Sequence, residues 1–166
     1  MKNSLSPLFG DPWKSDETNL HQVALYMTSP MSGSHEIDVV RAFVDAINRH
    51  SLADLSSLMT IDHTFIDSLG RTVLGRETML DGWKAYWAAF PDYEIRLENI
   101  LADGRLIAAF GSASGTYNGR RGLAPENRVT MPAAWKAVIE DRKVKHWQVY
   151  ADWTEGMKII ERETKI

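Results

Sequence analysis

The sequence contains no cysteine among its 166 residues. That excludes a disulfide framework, a thiol nucleophile, cysteine-bound zinc and iron–sulfur clusters. It also lacks any apolar run approaching the ~20 residues of a membrane-spanning helix. No long basic run occurs, and 19 Lys and Arg stand against 22 Asp and Glu for a net charge of −3. Such a chain has no electrostatic footprint for nucleic acid. Met1 to Gly10 carries one lysine and no stretch resembling a signal peptide, and residues 1–34 are neither arginine-rich nor poor in acids. Asn-x-Ser/Thr is absent. Together these absences predict a cytoplasmic protein with neither nucleic acid nor membrane as partner.

Motifs for bound cofactors are missing too. His21, His35, His50, His63 and His146 show no metal-ligand spacing, and His35-Glu36 lacks the second histidine of a zinc protease helix. Gly111-Ser-Ala-Ser-Gly115 has alanine where a nucleophile elbow needs serine. No phosphate loop or dinucleotide fingerprint occurs. The expectation is therefore no metal and no cofactor, with acid–base work as the chemistry left open. What is present is an ordinary globular balance, 44% hydrophobic and 25% charged residues, at a length suited to one domain.

Pro7, Pro12, Pro30 and Gly33 break up residues 1–34, which read as an N-terminal extension with at most a short helix at Leu20 to Met27. The domain is expected over 35–166. Ile37, Val40, Phe43, Val44 and Ile47 recur at helical spacing, with Ser34 as a cap. A second short helix is expected from Ser51, with Leu52, Leu55, Leu58 and Met59 inward. His63 to Leu69 alternates like a strand. Glu77 to Phe90 presents a wide apolar stripe and is stopped by Pro91. Beyond it the period becomes two. Strands are expected after Tyr93, over Leu106 to Tyr117, Arg128 to Glu140 and Val144 to Trp153, with a turn at Asp103-Gly104 and a terminal helical turn at Gly156 to Glu161. Helices first and long strands last make an α+β domain. Long strands twist, so the sheet curves and the helices cover its concave face, leaving an apolar mouth at the wide end.

Several segments resemble one family in order and spacing. They are His63-Thr-Phe-Ile-Asp67-Ser-Leu-Gly70, Gly75-Arg76-Glu77, Gly82-Trp83 with Tyr86, Phe90-Pro91-Asp92-Tyr93, Pro132-Ala-Ala-Trp135 and Trp147-Gln-Val-Tyr150-Ala-Asp152. Over residues 35–160 the chain resembles a SnoaL-like domain of the nuclear-transport-factor-two-like superfamily. The resemblance implies a cone-shaped, curved antiparallel or mixed sheet over three helices, and a homodimer built on the sheet. Relatives include polyketide cyclases, ketosteroid isomerases, dehydratases and limonene epoxide hydrolases, while others only bind ligands. The last strand resembles that of the epoxide hydrolase, but Val149 stands where its catalytic Asp lies, and no Arg-x-Asp pair completes its acid–base network. Epoxide hydrolysis by that route is therefore not expected.

The candidate catalytic pair is Asp67 with His63, on one face of a strand and roughly 13 Å apart along it. Near tryptophan, the Asp67 carboxyl would be raised by desolvation into the range of a general base. Equally, Asp67 precedes Leu69-Gly70 and is placed to close a turn with its side chain. Trp83, Tyr86, Trp87, Trp135 and Trp147 are expected to line a rigid apolar wall for a small hydrophobic or aromatic molecule, with Asp92 and Tyr117 near its mouth. Plain core packing is the other reading of the tryptophans. The function expected is binding of such a molecule, with or without isomerase, cyclase or dehydratase activity; the alternative is a non-catalytic ligand-binding or dimerisation module.

Overall fold

The computed structural model describes residues 34–165. The expected N-terminal extension, with its helix at Leu20 to Met27, lies outside them apart from Ser34.

Helix α1 (Ser34–Asn48) buries Val40, Phe43, Val44 and Ile47, the stripe its period predicts. It ends where His50 takes a left-handed conformation (φ 54°) and the Ser51 N–H closes on the Ala46 carbonyl. Ser51 then caps α2 (Leu52–Leu58), its side chain accepting from the Asp54 N–H. Strand β1 (Met59–Ile66) follows without a loop. Met59 therefore opens a strand rather than extending the helix, and its side chain is buried all the same. A short strand β2 (Thr72–Leu74) precedes α3 (Arg76–Ala89), which stops one residue before Phe90-Pro91.

Four long strands complete the sheet: β3 (Glu94–Asp103), β4 (Leu106–Thr116), β5 (Arg128–Glu140) and β6 (Lys143–Ala151). The β5–β6 turn uses Asp141 and Arg142, both at positive φ, the geometry that matches strand twist. The terminal helix α4 (Thr154–Thr164) is longer than the single turn expected. It is anchored at its far end by Glu163, whose buried carboxylate pairs with the Arg121 guanidinium. That pairing holds the Glu163 carboxyl down to about 2.

The sheet runs β2-β1-β6-β5-β4-β3. Every neighbouring pair is antiparallel except β1 and β6, which are parallel. The sheet is thus mixed, and the fold is α+β. Val129, Met131, Ala133, Trp135, Ala137 and Ile139 point inward along β5, while alternate residues face out. Helices α1 to α3 cover the inner face. Asn48 fixes α1 to β3 by exchanging two hydrogen bonds with the Ile95 backbone, at 2.8 and 2.9 Å.

Curvature has local causes. Register slips at Glu98, between Leu97 and Asn99 on β3, and at Lys145, between Val144 and His146 on β6. Such bulges bend a strand and increase its twist. Opposite the first bulge lies Gly111, where an added Cβ would fall 1.9 Å from the Arg96 carbonyl oxygen. The small middle of β4 is therefore what lets β3 close onto it.

Candidate functional site

Between the helices and the inner face of the sheet lies a cavity of about 220 Å³. Its floor is Trp135 and Trp147, 2% and 1% exposed, with rings stacked at 6.2 Å. The α3 side contributes Trp83 and Tyr86, and Tyr93 enters from the chain just before β3. Trp153 closes another side; it packs on Phe90 and leaves no room for a Cβ at Gly156. The rim is the β1–β2 turn, from Asp67 to Arg71.

Five of the nine residues expected at the site share this cavity: Asp67, Trp83, Tyr86, Trp135 and Trp147. The other four lie elsewhere. His63 is fully buried in the core, with Nδ1–H donating to the Val144 carbonyl at 2.8 Å and the ring against Phe43. Strand alternation aims it inward, but the helices close over it. Trp87 is buried one turn from Trp83 and stacks on His50 at 4.7 Å. Asp92 is occupied at the helix-to-strand corner, accepting from the Thr116 N–H, the Thr116 hydroxyl and the Arg128 guanidinium. Tyr117 packs on Phe90 in a separate apolar cluster with Val129 and Ile159.

Asp67 closes the turn. Its Oδ1 accepts from the Leu69 and Arg71 N–H groups, each at 2.9 Å, and its Oδ2 from Arg71 Nε at 2.7 Å. Burial alone would push its carboxyl up, but these hydrogen bonds and the Arg71 charge outweigh burial and hold it below the ordinary carboxylate value. This corrects the expectation of a raised pKa. The tryptophans flank the carboxylate, but donors from its own turn reach it first. It is ionised at neutral pH and weakly basic.

The inner polar atoms are of a different kind. Among the described residues Trp83 Nε1 and Trp135 Nε1 are buried without an acceptor. A buried donor left unpaired costs about 1–3 kcal/mol. The phenols of Tyr86 and Tyr93 are driven well above their ordinary value by burial, so both stay protonated. Tyr93, Met131 and Trp153 were not expected at the site. Tyr93 reads as one member of an alternating strand, and only the Pro91 corner turns it towards Tyr86. Among the described residues no cluster of His, Asp and Glu could hold a metal ion, and no helix is long and apolar enough to cross a membrane.

Burial also lowers the His63 pKa, against the opposing pull of the Val144 carbonyl. The unfolded chain protonates this histidine near ~6.5. Below that pH the unfolded form binds more protons, so stability falls as the solution is acidified until the lower folded pKa is passed. His146, lowered chiefly by burial, acts in the same direction. His63→Gln keeps an N–H for Val144 and is expected to flatten this fall in part. Urea unfolding at pH 7.5 and pH 5 measures it; an unchanged difference would remove His63 from the effect.

Comparison with known proteins gives a consistent result. A sequence profile described as SnoaL-like domain matches residues 40–147. No curated protein matches the chain. Among solved structures, a candidate SnoaL-like polyketide cyclase from Jannaschia sp. CCS1 is 20% identical with a TM-score of 0.67, covering 80% of this chain and 94% of its own. IdmH, a candidate polyketide cyclase from Streptomyces antibioticus, is 20% identical with a TM-score of 0.64 over 76% and 98% of the two chains. A Mycobacterium tuberculosis LEH-like epoxide hydrolase is 16% identical with a TM-score of 0.65 over 81% and 94%. At these identities the likeness shows the fold alone.

Proposed function

The chain belongs to the SnoaL-like domain family, and from that premise we propose that it binds a small, flat, largely apolar molecule in the cavity between Trp83, Trp135 and Trp147. The observation that carries this reading is the cavity itself, about 220 Å³ walled by aromatic rings. A cavity of about 150 Å³ holds benzene, so this one takes a substituted ring or a fused pair. Burying roughly 250 Å² of such a ligand gains about 6 kcal/mol. Association costs reduce that, which puts affinity no tighter than about 40 μM and towards the millimolar range.

Binding leads over catalysis because of Asp67. A carboxylate holding three donors of its own turn has little basicity to offer a substrate. Isomerase, cyclase or dehydratase activity from Asp67 is the secondary reading, favoured only by its place on the cavity rim. Titration of aromatic and steroid-like compounds, followed by tryptophan fluorescence, tests the binding reading. Saturable quenching by planar aromatics is expected. No response from any class would overturn it.

The proposal includes a homodimer on the outer face of the sheet. Phe110, Ala134 and Tyr150 stand in register across β4, β5 and β6, and Phe110 and Tyr150 are 43% and 51% exposed. Leu106 and Val138 form a second apolar pair on the same face, beyond Ala108 and Lys136. A face of this kind is worth covering with a second copy. Sedimentation at micromolar concentration should give a dimer, and Tyr150→Glu a monomer. A monomeric wild type would contradict this part.

A further inference from the structure

We infer that Gly156 sets the size of ligand the cavity admits, by fixing how far the Trp153 ring reaches into it. The inference rests on the binding reading above and adds what limits ligand size. Gly156 is buried in the first turn of α4. Glycine weakens a helix relative to alanine, and no left-handed conformation requires it here, since its φ is not positive. The reason for it is contact. A Cβ at this position would lie 2.6 Å from Trp153 Cε2, 2.7 Å from Cζ2 and 2.8 Å from Cδ2. Carbon atoms pack at about 3.5–4.0 Å, so the indole occupies space that any side chain at 156 would take.

The surroundings of the ring decide which way a side chain would push it. Phe90 meets Trp153 edge to face, with centroids 5.7 Å apart. It has no room to retreat, because it is buried, stacks on Tyr86 and lies against the β4 backbone at Gly115. Even a Cβ at Gly115 would come within 3.3 Å of Phe90 Cδ1. Helix α4 is pinned along its length. The Thr154 N–H donates to Asp152 Oδ1, and Ile159 is buried in one cluster with Val129. At the far end Arg121 holds the Glu163 carboxylate, and Arg162 donates to Asn127 Oδ1 at 2.6 Å. The cavity is empty volume next to the ring. Turning into it keeps the indole buried, whereas turning out to water exposes apolar surface. A side chain at 156 therefore drives Trp153 inward and shortens the cavity.

Acetophenone and 1-tetralone test this, since both dissolve in water, carry the same polar group and differ by a fused second ring. General destabilisation lowers both affinities alike, so the ratio between them is the readout. Gly156→Ala should weaken 1-tetralone about tenfold, an ordinary cost of overpacking, and leave acetophenone nearly unchanged. Trp153→Phe removes part of the ring system lying against Gly156. In that background Gly156→Ala should lose most of its effect on the ratio. Trp153→Phe alone should raise the preference for 1-tetralone, which keeps the inference testable should the alanine variant not fold. A ratio unchanged from wild type in every variant that folds would overturn the inference and leave the binding reading standing. So would an alanine effect of equal size in the wild-type and Trp153→Phe backgrounds, or tighter binding of 1-tetralone to Gly156→Ala. If wild type binds neither compound, both readings fall.

Discussion

Replacing Trp147 by alanine is expected to remove about 3–5 kcal/mol of stability. Trp147 is 1% exposed, stacks on Trp135 and meets the Phe43 edge at 5.2 Å. It also joins three strands at one point, pairing with Phe65 of β1 and Ala137 of β5. Truncation deletes a large side chain from a wall that already borders an empty volume. The space left would merge with the cavity, and the surrounding rings are too constrained to collapse into it. Against a total stability of about 5–15 kcal/mol, that is a loss of at least about a fifth. Trp147→Phe keeps an aromatic edge for Phe43 and should cost clearly less. Equilibrium urea unfolding measures both. A loss below about 1 kcal/mol for the alanine variant would mean that this ring is not part of the core.

Gly111→Ala is expected to destabilise by about 3 kcal/mol, the upper range for an overpacked position. Adding one methyl group is usually mild, but this one would meet backbone. The Cβ would lie 1.9 Å from the Arg96 oxygen and 2.9 Å from its carbonyl carbon. No side chain can swing away to relieve that contact, so β3 must separate from β4 at the bulge. Tyr93, just before β3, and Ile95, near its start, line the cavity, so the same displacement should weaken ligand binding. The melting temperature should fall by roughly 10 °C. Thermal unfolding checks the first effect and probe titration the second. A variant with wild-type melting behaviour would show that the close approach of β3 to β4 is not required.

Both predictions concern features that were partly legible in the sequence. Helix α1 and strand β5 each bury one face, and their periods of 3.6 and two are unambiguous over 15 and 13 residues. The glycines in β4 signalled a close approach, though not its partner. Strand β2 escaped because three residues carry no period. The start of β1 was misplaced because Met59 is apolar and suits either a helix face or a strand interior. Its parallel pairing with β6 joins residues more than 80 positions apart, and no local pattern encodes such a partner.

The site was legible to a different degree. Trp83, Trp135 and Trp147 are large enough to dominate any wall they join, so their convergence could be anticipated. The pKa direction of Asp67 could not, because it depends on a competition. Burial raises it, and donors four residues away or fewer lower it more. The signal for that outcome was the Asp67-Ser-Leu-Gly-Arg71 turn, whose geometry favours side-chain capping. His63 shows the limit of parity arguments. Alternation gives the face of a strand but not whether a helix or a cavity lies over it.

The central claim is that the space between helices and sheet admits a ligand. Methionine methyl signals report on it directly, since Met79 and Met131 line the cavity, Met59 lies in the closed core and Met157 is exposed on α4. With methyl-labelled methionine, titration with 1-tetralone should shift Met79 and Met131 saturably and leave Met59 and Met157 in place. Stationary Met79 and Met131 signals at saturating probe, or equal drift of all four, would contradict the account.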